Sequence, residues 1–229
     1  MKKKVIINFI FLFLLIFISF NFTLAQTEQS NKAKEKIILL DIPFTAQAPL
    51  ANWHDPRQQD ACEEASSLIV MSWVKHQLLT KNQALKEILA MADYEQRQYN
   101  NYHDTSALDT VKRLFNGYYH YDGAEVKDIK SKQDIISELK RGNAVIVPVN
   151  GQKLNNPYYT RPGPERHMLV IRGYDPNTDE FITNDVGTRR GEKYRYPAKI
   201  IENALRDYLT GKKEPIKQIK KTMIVIRPE

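Results

Sequence analysis

Past Gly142 the hydrophobic period of this chain changes, and that change restricts its fold more than any other feature. Before it, apolar residues recur at three- and four-residue spacing. After it come short β-branched runs bounded by Gly, Pro or Asn. Ala144 to Val149, His167 to Tyr174, Glu180 to Val186 and Thr222 to Arg227 read as strands, as does Lys36 to Phe44 earlier on. Helices are expected over Ala61 to Leu79, Asn82 to Tyr94, Thr105 to Phe115 and Ala198 to Leu209. The third of these should turn Leu108, Val111, Leu114 and Phe115 inward. Ser131 to Arg141 carries its own punctuation: an N-cap serine, Asp134 three residues on, and Gly142 to end it. Helices first and strands afterwards, at hairpin spacing, imply an α+β domain with a largely antiparallel sheet. Neither a repeat nor a long linker interrupts residues 36–229, which read as one domain.

Met1 to Ala25 has a different character: three lysines, a long Phe/Ile/Leu run, then Thr23-Leu24-Ala25. That is the layout of a cleaved secretory signal, with a retained N-terminal anchor as the alternative. Either way the remainder is expected in the envelope or outside the cell. Residues 26–35 are polar and aperiodic and read as a flexible leader. The formal charge of +7 includes Lys2, Lys3 and Lys4, so the exported chain carries +4. The nearest thing to a basic cluster is Lys212, Lys213, Lys217, Lys220 and Lys221, either a solvated face or a contact for a membrane or an anionic wall polymer. No segment has the pattern of a nucleic-acid motif.

Chemistry is concentrated in DPRQQDACEEASSLIVMSWV, Asp55 to Val74. Leu68, Ile69, Met71 and Trp73 are spaced for a buried helix. Asp55-Pro56 opens a turn, and Gln58, Gln59 and Asp60 are candidate cap and first-turn residues. Cys62, the only cysteine, then lies in the first turn. Unpaired N–H groups and the helix dipole favour a thiolate there, with a pKa lowered to about 3.5–7.5. A lone cysteine is also an ordinary small apolar filler. It excludes an internal disulfide.

The segment ERHMLVIRGYDPNTDEFITNDVG supplies partners. With Asp175-Pro176-Asn177 as the turn and Gly173 opposite Asp179, His167 falls opposite Asp185 on one face of a hairpin. Directly opposed residues approach closely enough for a carboxylate to hold an imidazole. Such a pair is an ordinary cross-strand contact or the base and orienter of a nucleophile. His54, His76, His103 and His120 lack metal-ligand spacing, so neither metal nor cofactor is expected.

DIPFTAQ, the Cys62 segment, HMLVIRGYD and FITNDVG, in that order, resemble papain-like cysteine peptidases of family 39, related to the bacteriocin-processing double-glycine-leader peptidases. The resemblance covers roughly Ile38 to Gly187. It implies a papain-like fold with Cys62 at a helix start packed on the sheet. It also implies a cysteine peptidase, with Cys62 as nucleophile, His167 as base, Asp185 as orienter and Gln47 as oxyanion donor; together with the N-terminal segment the reading is an exported enzyme, expected to be a monomer, acting on a peptide or protein. Gln58 and Gln59 lie nearer Cys62 and compete for the last role. The family reads Cys-Gly-Pro where this chain has Cys62-Glu63-Glu64. Two acids beside a thiol oppose its ionisation unless they point away, although they complement the helix dipole. The Lys153–Arg166 loop, with Tyr158, Tyr159 and Arg161, is either a cleft wall or a plain surface loop. Other readings are a wall-peptide amidase or transglutaminase-like acyl transfer on the same residues, or an inert envelope binding protein on the same scaffold.

Overall fold

Four of the expected strands lie side by side in the middle of one sheet. The structure, a computed structural model, describes residues 34–228. The expected signal and nearly all of the leader fall outside those residues. From Lys36 onward the chain forms one compact unit. Strands β1 (Ile38–Leu39), β2 (Ala124–Asp128), β3 (Ala144–Val149), β4 (His167–Asp175), β5 (Glu180–Asn184), β6 (Tyr194–Pro197) and β7 (Thr222–Ile226) are antiparallel throughout. Their order is β2-β7-β3-β4-β5-β6, and β1 pairs with β4 at Gly173 and Tyr174, beyond the end of β3.

Every residue of β3, β4 and β7 is buried, because both faces of the sheet are covered. Strand alternation sorts the side chains. Ile146, Met168, Val170, Ile224 and Ile226 pack with Leu68, Ile69 and Met71 of α2 (Cys62–Val74). Val145, Val147, Leu169, Ile171 and Val225 pack instead with α5 (Lys132–Lys140) and α6 (Ala198–Ala204). Each such side chain contributes roughly 1.5–3 kcal/mol of burial. The remaining helices are α1 (Pro56–Gln59), α3 (Lys81–Tyr99) and α4 (Ala107–Thr110).

Several boundaries differ from expectation for visible reasons. Helix α2 stops at Val74, where His76 takes a left-handed conformation and leaves Leu78 exposed. Helix α3 runs on to Tyr99, held by a capping box of Thr80 with Gln83 and closed by left-handed Asn100. After α4 the helix widens over Val111–Tyr118, where the Tyr119 N–H reaches the Leu114 carbonyl five residues back. The buried stripe there is Ala107, Thr110, Val111, Leu114 and Phe115, which leaves Leu108 64% exposed instead of inward. Helix α6 ends at Ala204, and Leu205 and Arg206 bond to the end of β3.

The β4–β5 hairpin also departs from the expected register. Asp175 pairs with Glu180 across a four-residue loop, and a bulge between Ile171 and Gly173 shifts the ladder by one. The hairpin ladder ends at Val170 opposite Asn184, so Asp185 is not the ladder partner of His167. His167 pairs with Val149 on β3 instead.

The α2–α3 contact buries charge. Glu64 and Glu95 are both enclosed, with Arg113 Nη1 3.5 Å from Glu95 Oε1. Burial, then the charge of Glu95, pushes the Glu64 carboxyl well up. Burial raises Glu95 to about 7 against the pull of Glu64 and Arg113. Both groups bind protons more tightly folded than unfolded, so their favourable contribution is complete below about pH 4.3 and lost as pH rises through the folded values. The melting temperature is therefore expected to fall between pH 5 and pH 8.5. Glu64→Gln should flatten that decline in thermal melts across the range; a decline as steep as the wild type would place its cause elsewhere.

Candidate active site

Asp55 accepts from the Arg57 N–H and starts α1; Asp60 closes it; Ala61 turns the chain, and α2 begins at Cys62. Gln58 and Gln59 thus belong to α1 and cap nothing at Cys62, contrary to expectation. The start of α2 has no side-chain cap. One turn on, the Ser66 hydroxyl donates to the Met168 carbonyl at 3.3 Å, which seats α2 over the first residues of β4.

The thiol is buried and hydrogen-bonded to Glu63 Oε2 at 3.0 Å. Burial pushes the Cys62 pKa well up, with the charge and hydrogen bond of Glu63 next and Asp104 and Glu64 adding to it. The expected low thiol pKa is therefore overturned: desolvation outweighs a helix dipole worth only a fraction of a charge. Glu63 does not point away, since its Oε2 meets the thiol, whereas Glu64 faces Glu95; both are buried.

His167 and Asp185 meet even though the register that predicted them fails. His167 Nε2 is 2.9 Å from Asp185 Oδ1, and both side chains are buried. Asp185 sits just past β5, where the chain leaves the ladder and curls back. Its N–H donates to the Gly191 carbonyl, and the Gly187 N–H donates to Oδ1 at 3.1 Å. The Tyr159 hydroxyl reaches both carboxylate oxygens, at 2.8 and 2.7 Å. Tyr196 and Asn156 donate to Oδ2 at 2.6 and 3.1 Å. Burial alone raises a carboxyl, but the His167 charge and these hydrogen bonds outweigh it and hold Asp185 below its ordinary value. The backbone at Gly187 comes so close that an added Cβ would lie 2.9 Å from His167 Cε1.

Cys62 and His167 open onto one cavity of about 610 Å³, also lined by Gln47, Gln59, Asp104 and Arg166. Tyr158, Tyr159, Thr160 and Pro164 form one wall, so the Lys153–Arg166 loop borders the cavity; Arg161 is not part of that lining. Thr188, Arg189 and Arg190 close another side. Trp53, in the loop ahead of α1, is 37% exposed at the rim and does not anchor that loop by burial. The loop is fixed instead by the Gln47 N–H bonding the Val186 carbonyl and by Gln59 Nε2 bonding the Trp53 carbonyl. Gln47 Nε2 donates to the carbonyls of Gln58 and Gln59, at 3.0 and 2.6 Å. Gln58 is absent from the cavity lining and sits buried behind it.

Sequence reasoning missed Asn156 and Tyr196 around Asp185, and Tyr208, whose hydroxyl donates to Glu63 Oε1 at 2.7 Å. Only sheet pairing brings Tyr196 back to the site, and no local motif marks it.

A family model described as the Peptidase_C39 like family matches residues 39–215. Among solved structures, a chain described as a candidate C39-like peptidase from Bacillus anthracis matches with a TM-score of 0.55 and 14% identity, over 84% of this chain and 98% of that one. At that identity the likeness bears on the fold alone. No curated protein matches the chain.

Proposed function

The chain belongs to the C39-like peptidase family, and from that premise we propose that it is a cysteine peptidase using Cys62, His167 and Asp185 on a peptide or protein substrate. The observation that carries this reading is the buried 2.9 Å contact of His167 Nε2 with Asp185, on the same cavity as Cys62. It leaves Nδ1 as the imidazole nitrogen for the thiol. As Sγ bonds the substrate carbonyl carbon, its proton passes to His167 Nδ1, and Asp185 balances the imidazolium. His167 then protonates the leaving amine. Water, deprotonated by the same imidazole, hydrolyses the thioester and frees Cys62. Because the thiol is held neutral before attack, proton loss accompanies carbon–sulfur bond formation.

The oxyanion in this scheme is met by the Cys62 backbone N–H, left without an intrahelical partner at the start of α2, and by Gln47 Nε2. Gln47 would exchange its longer bond, to the Gln58 carbonyl, for the substrate oxygen. Gln47→Ala is expected to lose roughly a hundredfold in turnover. An equal loss in Gln59→Ala with Gln47→Ala unaffected would move the role to Gln59.

Thiol labelling tests the nucleophile–base pair without a known substrate. If His167 takes the thiol proton as sulfur attacks, His167→Ala removes the general base and should slow iodoacetamide alkylation of Cys62 at pH 7 roughly a hundredfold. Labelling indifferent to His167 would favour an inert scaffold.

A further inference from the structure

A carboxylic acid is built against the sulfur of Cys62, and none of the steps above uses it. Both oxygens of buried Glu63 are engaged. Oε1 accepts from the Tyr208 hydroxyl at 2.7 Å, and Oε2 lies 3.0 Å from Cys62 Sγ. Tyr208 is itself buried and comes from the segment after α6, so distant parts of the chain converge on this one carboxyl. A phenol has a single proton to donate. Spending it on Oε1 marks that oxygen as the carbonyl-like acceptor. A proton on the acid then belongs on Oε2, facing the sulfur.

We propose that Glu63 acts as a neutral carboxylic acid whose Oε2–H donates to the Cys62 sulfur and stabilises it as it becomes a thiolate, with Tyr208 fixing which oxygen holds the proton. This rests on the reading of Cys62 as the nucleophile. No proton leaves Glu63 in the step: the thiol proton goes to His167, and the Oε2–H bond strengthens as charge gathers on sulfur. Burial first, and then the charge of Asp104, raise Glu63 to about 8, so the acid form holds at neutral pH. The other groups around the pair are Glu64 on α2, Tyr208, Asp104 ahead of α4 with Arg166 4.0 Å from it, and His167 across the cavity. Once Glu63 ionises its role reverses: it accepts from the thiol and repels a thiolate. The acid in the place of the family's glycine is thus a donor at neutral pH and an inhibitor in alkali.

The test is the rate of Cys62 alkylation by iodoacetamide from pH 6 to 9.5 in the wild type, Glu63→Gln and Glu63→Ala, with melting curves for each. Glutamine keeps one donor and one acceptor in the same places but cannot ionise. The ratio of Glu63→Gln to wild-type rates should rise roughly tenfold between pH 6.5 and 9, the scale of one hydrogen bond to a charged group. Its midpoint should lie at about 8. Asp104→Asn should move that midpoint to lower pH. At pH 6.5 Glu63→Ala should be roughly tenfold slower than Glu63→Gln. If the alanine variant does not fold, the glutamine ratio decides alone. A ratio that stays constant with pH overturns the proposal. Alkylation needs no substrate, so a failure to cleave peptides would count against the peptidase reading and leave this result standing.

Discussion

Asp185→Asn is expected to cut turnover by about 10⁴-fold, the size seen when an orienting carboxylate loses its charge and the imidazole takes the wrong tautomer. The surroundings of Asp185 leave an amide no good orientation. With its nitrogen at the Oδ1 position it faces the Gly187 N–H and His167 Nε2. To accept from that nitrogen His167 must carry its proton on Nδ1, where it can no longer take one from Cys62. With the nitrogen at the Oδ2 position the amide meets the Asn156 NH₂, another donor. Either way a buried donor goes unpaired, at a cost of about 1–3 kcal/mol, so the melting temperature should fall as well. Steady-state turnover with thermal melting measures both. Turnover within tenfold of the wild type would remove Asp185 from the reaction.

The sequence made the middle of the sheet legible because β3, β4 and β7 are buried on both faces and carry the apolar runs AVIVPV, MLVI and MIVI. Helix α5 was equally plain, since Ser131, Asp134 and Gly142 punctuate it. Strands β2 and β6 were missed: AEVKD and YRYP are short and only partly buried, and two apolar residues apiece are too few to establish a period. The pairing of His167 with Asp185 was reached by counting a register that does not hold, yet the two side chains do meet. A bulge near Gly173 spoils any register drawn from the turn, and Asp185 reaches the ring from beyond the ladder. Glu63 was hardest to read. Acids in a first helical turn usually meet water, whereas α2 is buried almost all round, so its acids are enclosed with the thiol. That enclosure reverses the expected direction of the Cys62 pKa.

Cys62→Ser should reduce amide hydrolysis by at least about 10⁴-fold, as loss of a nucleophile does in enzymes whose catalytic residues act as a unit. Serine is close in size to cysteine, and its hydroxyl can still bond Glu63. The buried start of α2 should therefore keep its packing, and the melting temperature should change little. A serine hydroxyl is a much weaker nucleophile than a thiol, and a base placed for sulfur does not make good the difference. The decisive measurement is cleavage of a diverse peptide library by the folded wild type and by Cys62→Ser, side by side between pH 5 and pH 8. The wild type should cut a defined subset of peptides, and the serine variant, equally folded, should leave that subset intact. Cleavage of the same bonds at similar rates by both proteins, or none by a folded wild type at any pH in the range, would contradict a Cys62–His167–Asp185 peptidase.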